Sequence, residues 1–239
     1  MVSDRSPIDA ITDNIQNPQQ PHVATVLLVD TSGSMGQATA SGKKKIDELN
    51  EGLTLFRDDV ISDDLTQKRA EIALVTFDDE VTTVQDFTSI ENFNPPVLSI
   101  DGETSMGKGI LKAIEMVEKR KTEYKNQGID YFRPWIFLIT DGAPTDMQEG
   151  DSLWASVIQS VHDGEKKGKF SFFAVGIEPA NMEILKNIAP PIRPPILLKQ
   201  GKFKEMFVWL SKSQQRVSGS KPGDQTELPP PAGWGQIAS

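Results

Sequence analysis

Val23-Ala24-Thr25-Val26-Leu27-Leu28-Val29 is a near-continuous apolar run that stops at an acid, Asp30. A strand with one wet face alternates apolar and polar residues, so a run without alternation reads as a strand buried on both faces. Such a strand needs helices above and below it, and the chain supplies them in alternation. Ile46, Leu49, Leu53, Phe56 and Val60 recur at steps of three and four, one apolar stripe on a helix over about 43–62. Glu71-Ile72-Ala73-Leu74-Val75-Thr76-Phe77 is a second strand. Asp78-Asp79-Glu80 turns it into the β-branched Val81-Thr82-Thr83-Val84, an edge hairpin strand. After Pro95-Pro96, Gly102-Glu103-Thr104-Ser105 opens a helix carrying Met106, Ile110, Ala113 and Val117 on one side. Trp135-Ile136-Phe137-Leu138-Ile139-Thr140 is a further buried-type strand and ends at Asp141-Gly142. Helices over about 150–167, 181–188 and 203–210 alternate with strands over 170–176 and 196–198. The expected fold is α/β: a Rossmann-like, doubly wound, mostly parallel six-stranded sheet with one antiparallel edge strand and helices on both faces.

The ends differ from this middle. Residues 1–21 read as a polar arm that packs partly through Ile8, Ile11 and Ile15, and 22–211 as the folded domain. From about Ser211, Ser, Gln, Gly and Pro take over, and the chain closes with Leu228-Pro229-Pro230-Pro231-Ala232-Gly233-Trp234-Gly235. Such a composition buries too little apolar surface to offset its ordering entropy, so 212–239 reads as a tail. A Trp in it is unusual and suggests a docking peptide for a partner's groove.

Composition narrows function. The formal net charge of −9 argues against nucleic-acid binding, which needs clustered Lys and Arg. Lys43-Lys44-Lys45 and Lys119-Arg120-Lys121 read as solvated helix faces. The absence of Cys excludes disulfides, thiol catalysis and Cys-ligated metals, and suits a reducing compartment. No apolar run approaches the roughly 20 residues of a membrane helix, and no signal-peptide core follows the first residues. A cytoplasmic protein without a membrane partner is expected.

Ligands of doubly wound sheets bind beyond the carboxyl ends of the strands. Asp30, Ser32 and Ser34 follow the first strand, Asp141 follows the strand at 135–140, and Thr104 opens a helix. Parallel strand ends share one edge, which brings Asp30 and Asp141 near each other. Two close carboxylates are costly unless a proton or cation compensates them. With three hydroxyls added, the set is all oxygen and carries little charge, which suits Mg2+ first, with Mn2+ or Ca2+ as alternatives. Taken alone, Asp30 to Ser34 also reads as a turn with helix-capping residues. Thr104 as a helix N-cap is compatible with a metal role. Asp78 and Asp79 read as turn formers, and His22 and His162 are too isolated for a catalytic or zinc set.

Asp30-Thr31-Ser32-Gly33-Ser34 resembles the DxSxS signature of the von Willebrand factor type A (VWA) domain. Gly102-Glu103-Thr104 resembles that family's threonine loop, and Thr140-Asp141-Gly142 its TDG element; the resemblance spans about 22–210. It implies a metal-ion-dependent adhesion site (MIDAS). Ser32, Ser34 and Thr104 would contact the cation, Asp30 and Asp141 would do so directly or through water, and one position would stay open for a partner's carboxylate. Pro134 to Asp146 and Phe93-Asn94-Pro95-Pro96 look like the bacterial TerY-like group associated with tellurium resistance and stress. That resemblance implies partners in phospho-signalling, a protein kinase and a PP2C-type phosphatase. Where the family commonly has a second Gly, this chain has Glu103, whose carboxylate can repel an acidic ligand, add a ligand or point to water; the last is preferred. Candidate partner contacts are Glu103, Asp146 (otherwise a turn residue), Pro230 and Trp234.

The rival reading is a Mg2+-dependent phosphoester hydrolase or phosphotransferase, because aspartyl-phosphate enzymes place their nucleophile at the same strand end. Those enzymes usually want a second acid two residues on, where this chain has Ser32. No P-loop and no dinucleotide fingerprint occurs. A binding module and not an enzyme is therefore expected.

Overall fold

The structure, a computed structural model, describes residues 15–238. Ile8 and Ile11 lie outside the described residues, while Ile15 is buried. The strands are β1 (Val23–Asp30), β2 (Ala70–Phe77), β3 (Val81–Ser89), β4 (Trp135–Thr140), β5 (Ser171–Ile177), β6 (Ile196–Leu198) and β7 (Gly235–Ile237). The helices are α1 (Lys45–Ile61), α2 (Asp64–Gln67), α3 (Met106–Gln127), α4 (Ser152–Lys166), α5 (Met182–Ile188) and α6 (Phe203–Ser218), with a 3-10 turn at Gly33–Gly36. One sheet holds all the strands in the order β3-β2-β1-β4-β5-β6-β7. The central pairs are parallel, and β3 and β7 close the edges antiparallel. The doubly wound α/β fold is as expected, with seven strands and two antiparallel edges in place of six and one.

The alternation of the central strands feeds two cores. Val23, Leu27 and Val29 of β1 face α1 and α6 together with Leu49, Phe56 and Phe207. Ala24, Val26 and Leu28 face the other way, with Ile110, Val117, Val157 and Leu185 of α3, α4 and α5. The chain runs from β1 to β2 on one side and later enters β4 on the other. The reversal therefore falls between β1 and β4, where ligand crevices of such sheets form.

The C-terminal reading needs correction. The last helix does not stop near Leu210 but continues to Ser218, and Ser211, Ser213, Gln214 and Ser218 in it are buried. Gln214 Nε2 donates to Thr25 Oγ1 of β1 at 2.7 Å, so a buried polar pair replaces apolar packing there. Beyond it the Pro-rich segment docks on its own domain. Trp209 Nε1 donates to Pro229 O at 2.7 Å, Trp234 packs 5.3 Å from Trp209, and β7 pairs with β6. Trp234 is only 2% exposed, so the aromatic that marked a docking peptide is a core residue.

At the opposite ends of the strands, Glu71 of β2 is buried and accepts from Arg120 Nε at 2.9 Å and Nη2 at 2.7 Å, and from the Tyr124 hydroxyl. Arg120, expected on a solvated face, thus ties α3 to the sheet. Burial alone would lower the Arg120 guanidinium's pKa, but the hydrogen bonds and charge of Glu71 more than offset this and raise it. Among the described residues no helix is long and apolar enough to cross a membrane.

Candidate metal centre

Val29 of β1 lies beside Ile139 of β4, so Asp30 comes level with Thr140 at the next step. Thr140 Oγ1 donates to Asp30 Oδ2 at 2.5 Å, and the Ser32 backbone N–H donates to Oδ1 at 2.9 Å. This turn, closed by an acidic side chain on its own backbone, folds the loop back at the strand end. Met35 is wholly buried and anchors the 3-10 turn that follows. The hydroxyls of Ser32 and Ser34 then lie 3.0 Å apart, and Ser34 Oγ donates to Asp141 Oδ1 at 2.5 Å.

The threonine loop docks on the same edge. Gly33 N–H donates to Gly102 O at 3.1 Å, and Asp101 N–H to Thr31 O at 2.9 Å. Gly102 has φ +53°, and a Cβ there would fall within 2.3–2.5 Å of the Asp79 carboxylate, so only glycine fits. Asp79 Oδ1 accepts from Glu103 N–H at 2.7 Å, while Asp78 Oδ2 accepts from Thr31 Oγ1 at 2.9 Å. The acids that read as plain turn formers therefore brace both loops. Thr104 N–H donates to Thr145 Oγ1 at 3.1 Å, and Thr145 N–H returns a bond to Thr104 O at 2.9 Å. A Cβ on Gly142 would lie 3.3 Å from Thr104 Oγ1 and 3.7 Å from Asp30 Oδ2. Thr104, Asp30 and the Asp141-Gly142 turn thus crowd one point, and all five expected metal residues come together.

The expected partner contacts separate. Glu103 is exposed, and Pro230 is exposed on the far β7 side. Trp234 is buried, as described. Asp146 has both oxygens engaged, accepting from Gly107 N–H at 3.0 Å and Lys108 N–H at 2.9 Å. It caps α3 from across the loop, whereas Thr104 does not: the N-cap position is Ser105, without a side-chain cap bond.

Lys45 is the residue the sequence reading missed. Lys43 is half-exposed and pairs with Glu51, as a solvated face should. Lys45, the first residue of α1, instead turns inward. Its Nζ donates to Asp141 Oδ2 at 2.6 Å and to Gln37 Oε1 at 3.1 Å, and its side chain is 5% exposed. The signal was phase: Lys45 stands four residues before Leu49 and eight before Leu53, on the apolar stripe.

Burial pushes the Asp30 carboxyl above the usual carboxylate range, opposed by the hydrogen bonds from Ser32 and Thr140 and reinforced by the Asp141 charge. A divalent cation would relieve that cost. The donors fit one. At Mg–O distances of about 2.0–2.1 Å, adjacent oxygens of a six-coordinate shell lie about 3 Å apart, the separation of the two serine hydroxyls. Among the described residues no three His, Asp or Glu side chains gather as a metal cluster, so a cation at this edge depends on the hydroxyls.

Comparison with known proteins bears on the fold and the family. The von Willebrand factor type A domain family matches residues 25–206. Among solved structures, a von Willebrand factor type A protein from Catenulispora acidiphila is 18% identical, with TM-score 0.60 over 82% of this chain and 43% of that one. The pilus adhesin SpaC from Lactobacillus rhamnosus GG is 16% identical, with TM-score 0.63 over 85% of this chain and 32% of that one. A D319A mutant of the PilB minor pilin from Streptococcus sanguinis is 15% identical, with TM-score 0.59 over 85% and 64%. The chain thus spans less than two thirds of each of these proteins, and they share its fold. No curated protein sequence matches it. The chain belongs to the von Willebrand factor type A domain family, whose members generally act as metal-dependent protein-interaction modules.

Proposed function

We propose that the protein is a non-enzymatic adaptor that engages a partner's carboxylate through a MIDAS cation, Mg2+ by preference. One observation carries this: the Ser32 and Ser34 hydroxyls and Asp141 Oδ1 lie 2.5–3.0 Å apart in series at the β1–β4 switch point. Ser32, Ser34 and Thr104 would hold the cation, and Asp30 and Asp141 would contact it directly or through water. When bound, the cation supplies a Lewis-acidic position that attracts an incoming Asp or Glu. The chain's own residues fix the hydroxyls: Asp30 holds the Ser32 backbone, Asp141 orients Ser34, and Asp79 positions the loop before Thr104. Glu103 faces solvent beside this point.

A non-enzymatic role is supported by where the histidines lie. His22 sits beside Glu71 at the far ends of the strands, and His162 bonds to Ala189 O at 3.1 Å. The setting we propose, cytoplasmic stress or phospho-signalling with a protein kinase and a PP2C-type phosphatase as partners, rests on the sequence resemblance of 134–146 and 93–96 to the TerY-like group alone. An affinity capture in Mg2+ and in chelator tests the reading. Partners should be retained in Mg2+, lost in chelator and lost in Mg2+ for Ser32→Ala/Ser34→Ala. Capture that ignores both changes would overturn it.

A further inference from the structure

The centre contains a third charged group. Lys45 Nζ is 2.6 Å from Asp141 Oδ2, and both side chains are almost wholly buried, at 5% and 0% exposure. The other Asp141 oxygen, Oδ1, accepts from Ser34. Asp141 is therefore shared between an ammonium on one side and a metal-facing hydroxyl on the other. The contact is built in. The Lys45 backbone N–H donates to Gln37 O at 3.0 Å, which pins the start of α1 against the loop leaving Ser34, and Gln37 Oε1 takes a second Nζ hydrogen at 3.1 Å. Buried ion pairs act across a low dielectric and are poorly screened.

Building on the metal-centre reading, we infer that Lys45 opposes cation capture and leaves the loaded centre with a net positive charge for an anionic ligand. Charge counting makes the point. Asp30 and Asp141 contribute −2, and a divalent cation would cancel them to zero. The Lys45 ammonium takes the loaded centre to +1, and one carboxylate returns it to neutrality. Cation and lysine compete for the same carboxylate, so affinity for the metal falls while affinity for the anion rises. This offsets locally what the exposed acids nearby, Asp79, Asp101 and Glu103, and the −9 net charge set against an acidic partner. Lys45 is thus a specificity-determining residue of the centre and not one of its metal ligands.

Mg2+ calorimetry on the intact chain tests this with Lys45→Gln, which keeps a donor but no charge, and Lys45→Met, which keeps neither. Both should bind Mg2+ about tenfold or more tightly than wild type, because the lost charge and not the lost hydrogen bond governs. Acetate titrated onto each Mg2+-loaded protein, followed by NMR, should bind the wild type most tightly. Thermal melts in chelator confirm that the variants are folded. If Lys45 only orients Asp141, Lys45→Met will bind Mg2+ more weakly than wild type and Lys45→Gln will match it, and the inference falls. Neutral variants that bind Mg2+ no more tightly than wild type, or acetate no more weakly, also overturn it while leaving the metal centre standing. If no variant and no wild type takes up Mg2+, the metal-centre reading itself fails and this inference with it.

Discussion

Asp30 is wholly buried, and burial raises its carboxyl pKa against three hydrogen-bonding contributions from Ser32 and Thr140. A carboxyl whose folded pKa exceeds its unfolded value disfavours the fold when ionised. Its penalty is absent below the unfolded value of 3.8, grows as pH rises from there toward the folded one and is complete above it. Asp30→Asn can keep an acceptor for Ser32 N–H and lacks the charge. In chelator at pH 7 the variant should therefore melt at a higher temperature than wild type, and the gap should close as pH falls toward 3.8. In Mg2+ it should lack the ligand-induced rise in Tm expected of wild type. A melt in chelator below that of wild type would contradict the assignment of cost to Asp30. At this scale the clustering of the candidate metal residues was legible because polar groups at the ends of buried strands have few structural uses. Lys45 was not, because three lysines in a row look alike until the start of α1 fixes which one faces inward.

The elements are placed by side-chain ties that composition hides. Glu71, Arg120 and Tyr124 join β2 to α3, the helix whose N-terminus carries the threonine loop. Removing one partner of a buried ion pair leaves the other charge uncompensated. Glu71→Ala is expected to cost about 3–5 kcal/mol in chemical denaturation, and a loss below about 1 kcal/mol would show that α3 is held by apolar packing alone. On the other face α1 and α6 approach closely at Gly52, where an added Cβ would come within 2.2 Å of the Phe207 ring. Gly52→Ala should cost about 1–3 kcal/mol by overpacking, measured the same way, and no change in the denaturation midpoint would mean the helices separate freely. The strands and apolar stripes were legible because their periodicity is the fold's own. The second half of α6 was not. Its inward residues are mostly polar, Ser211, Ser213, Gln214 and Ser218 beside Val217, and their helix depends on partners far away in sequence, Thr25 among them.

Across the whole molecule the switch between β1 and β4 sets the proposed metal centre at one sheet edge, while the C-terminal segment closes a lateral edge. That segment was read as a tail because its Pro and Gly content predicts little self-supporting structure. It orders because β6 offers an unpaired edge and Trp209 offers a surface for Trp234. Trp234→Ala should lower stability by about 3–5 kcal/mol, as for other buried Trp truncations, and unchanged stability would return the segment to the status of a tail. The central claim is that five residues from three separate segments make one cation site. Anomalous diffraction from crystals grown with Mn2+ tests it most directly. The account predicts a peak bounded by the Ser32, Ser34 and Thr104 hydroxyls with Asp30 and Asp141 around it, lost in Ser32→Ala/Ser34→Ala crystals. At saturating Mn2+, no peak there, or one that survives the double substitution, would contradict it.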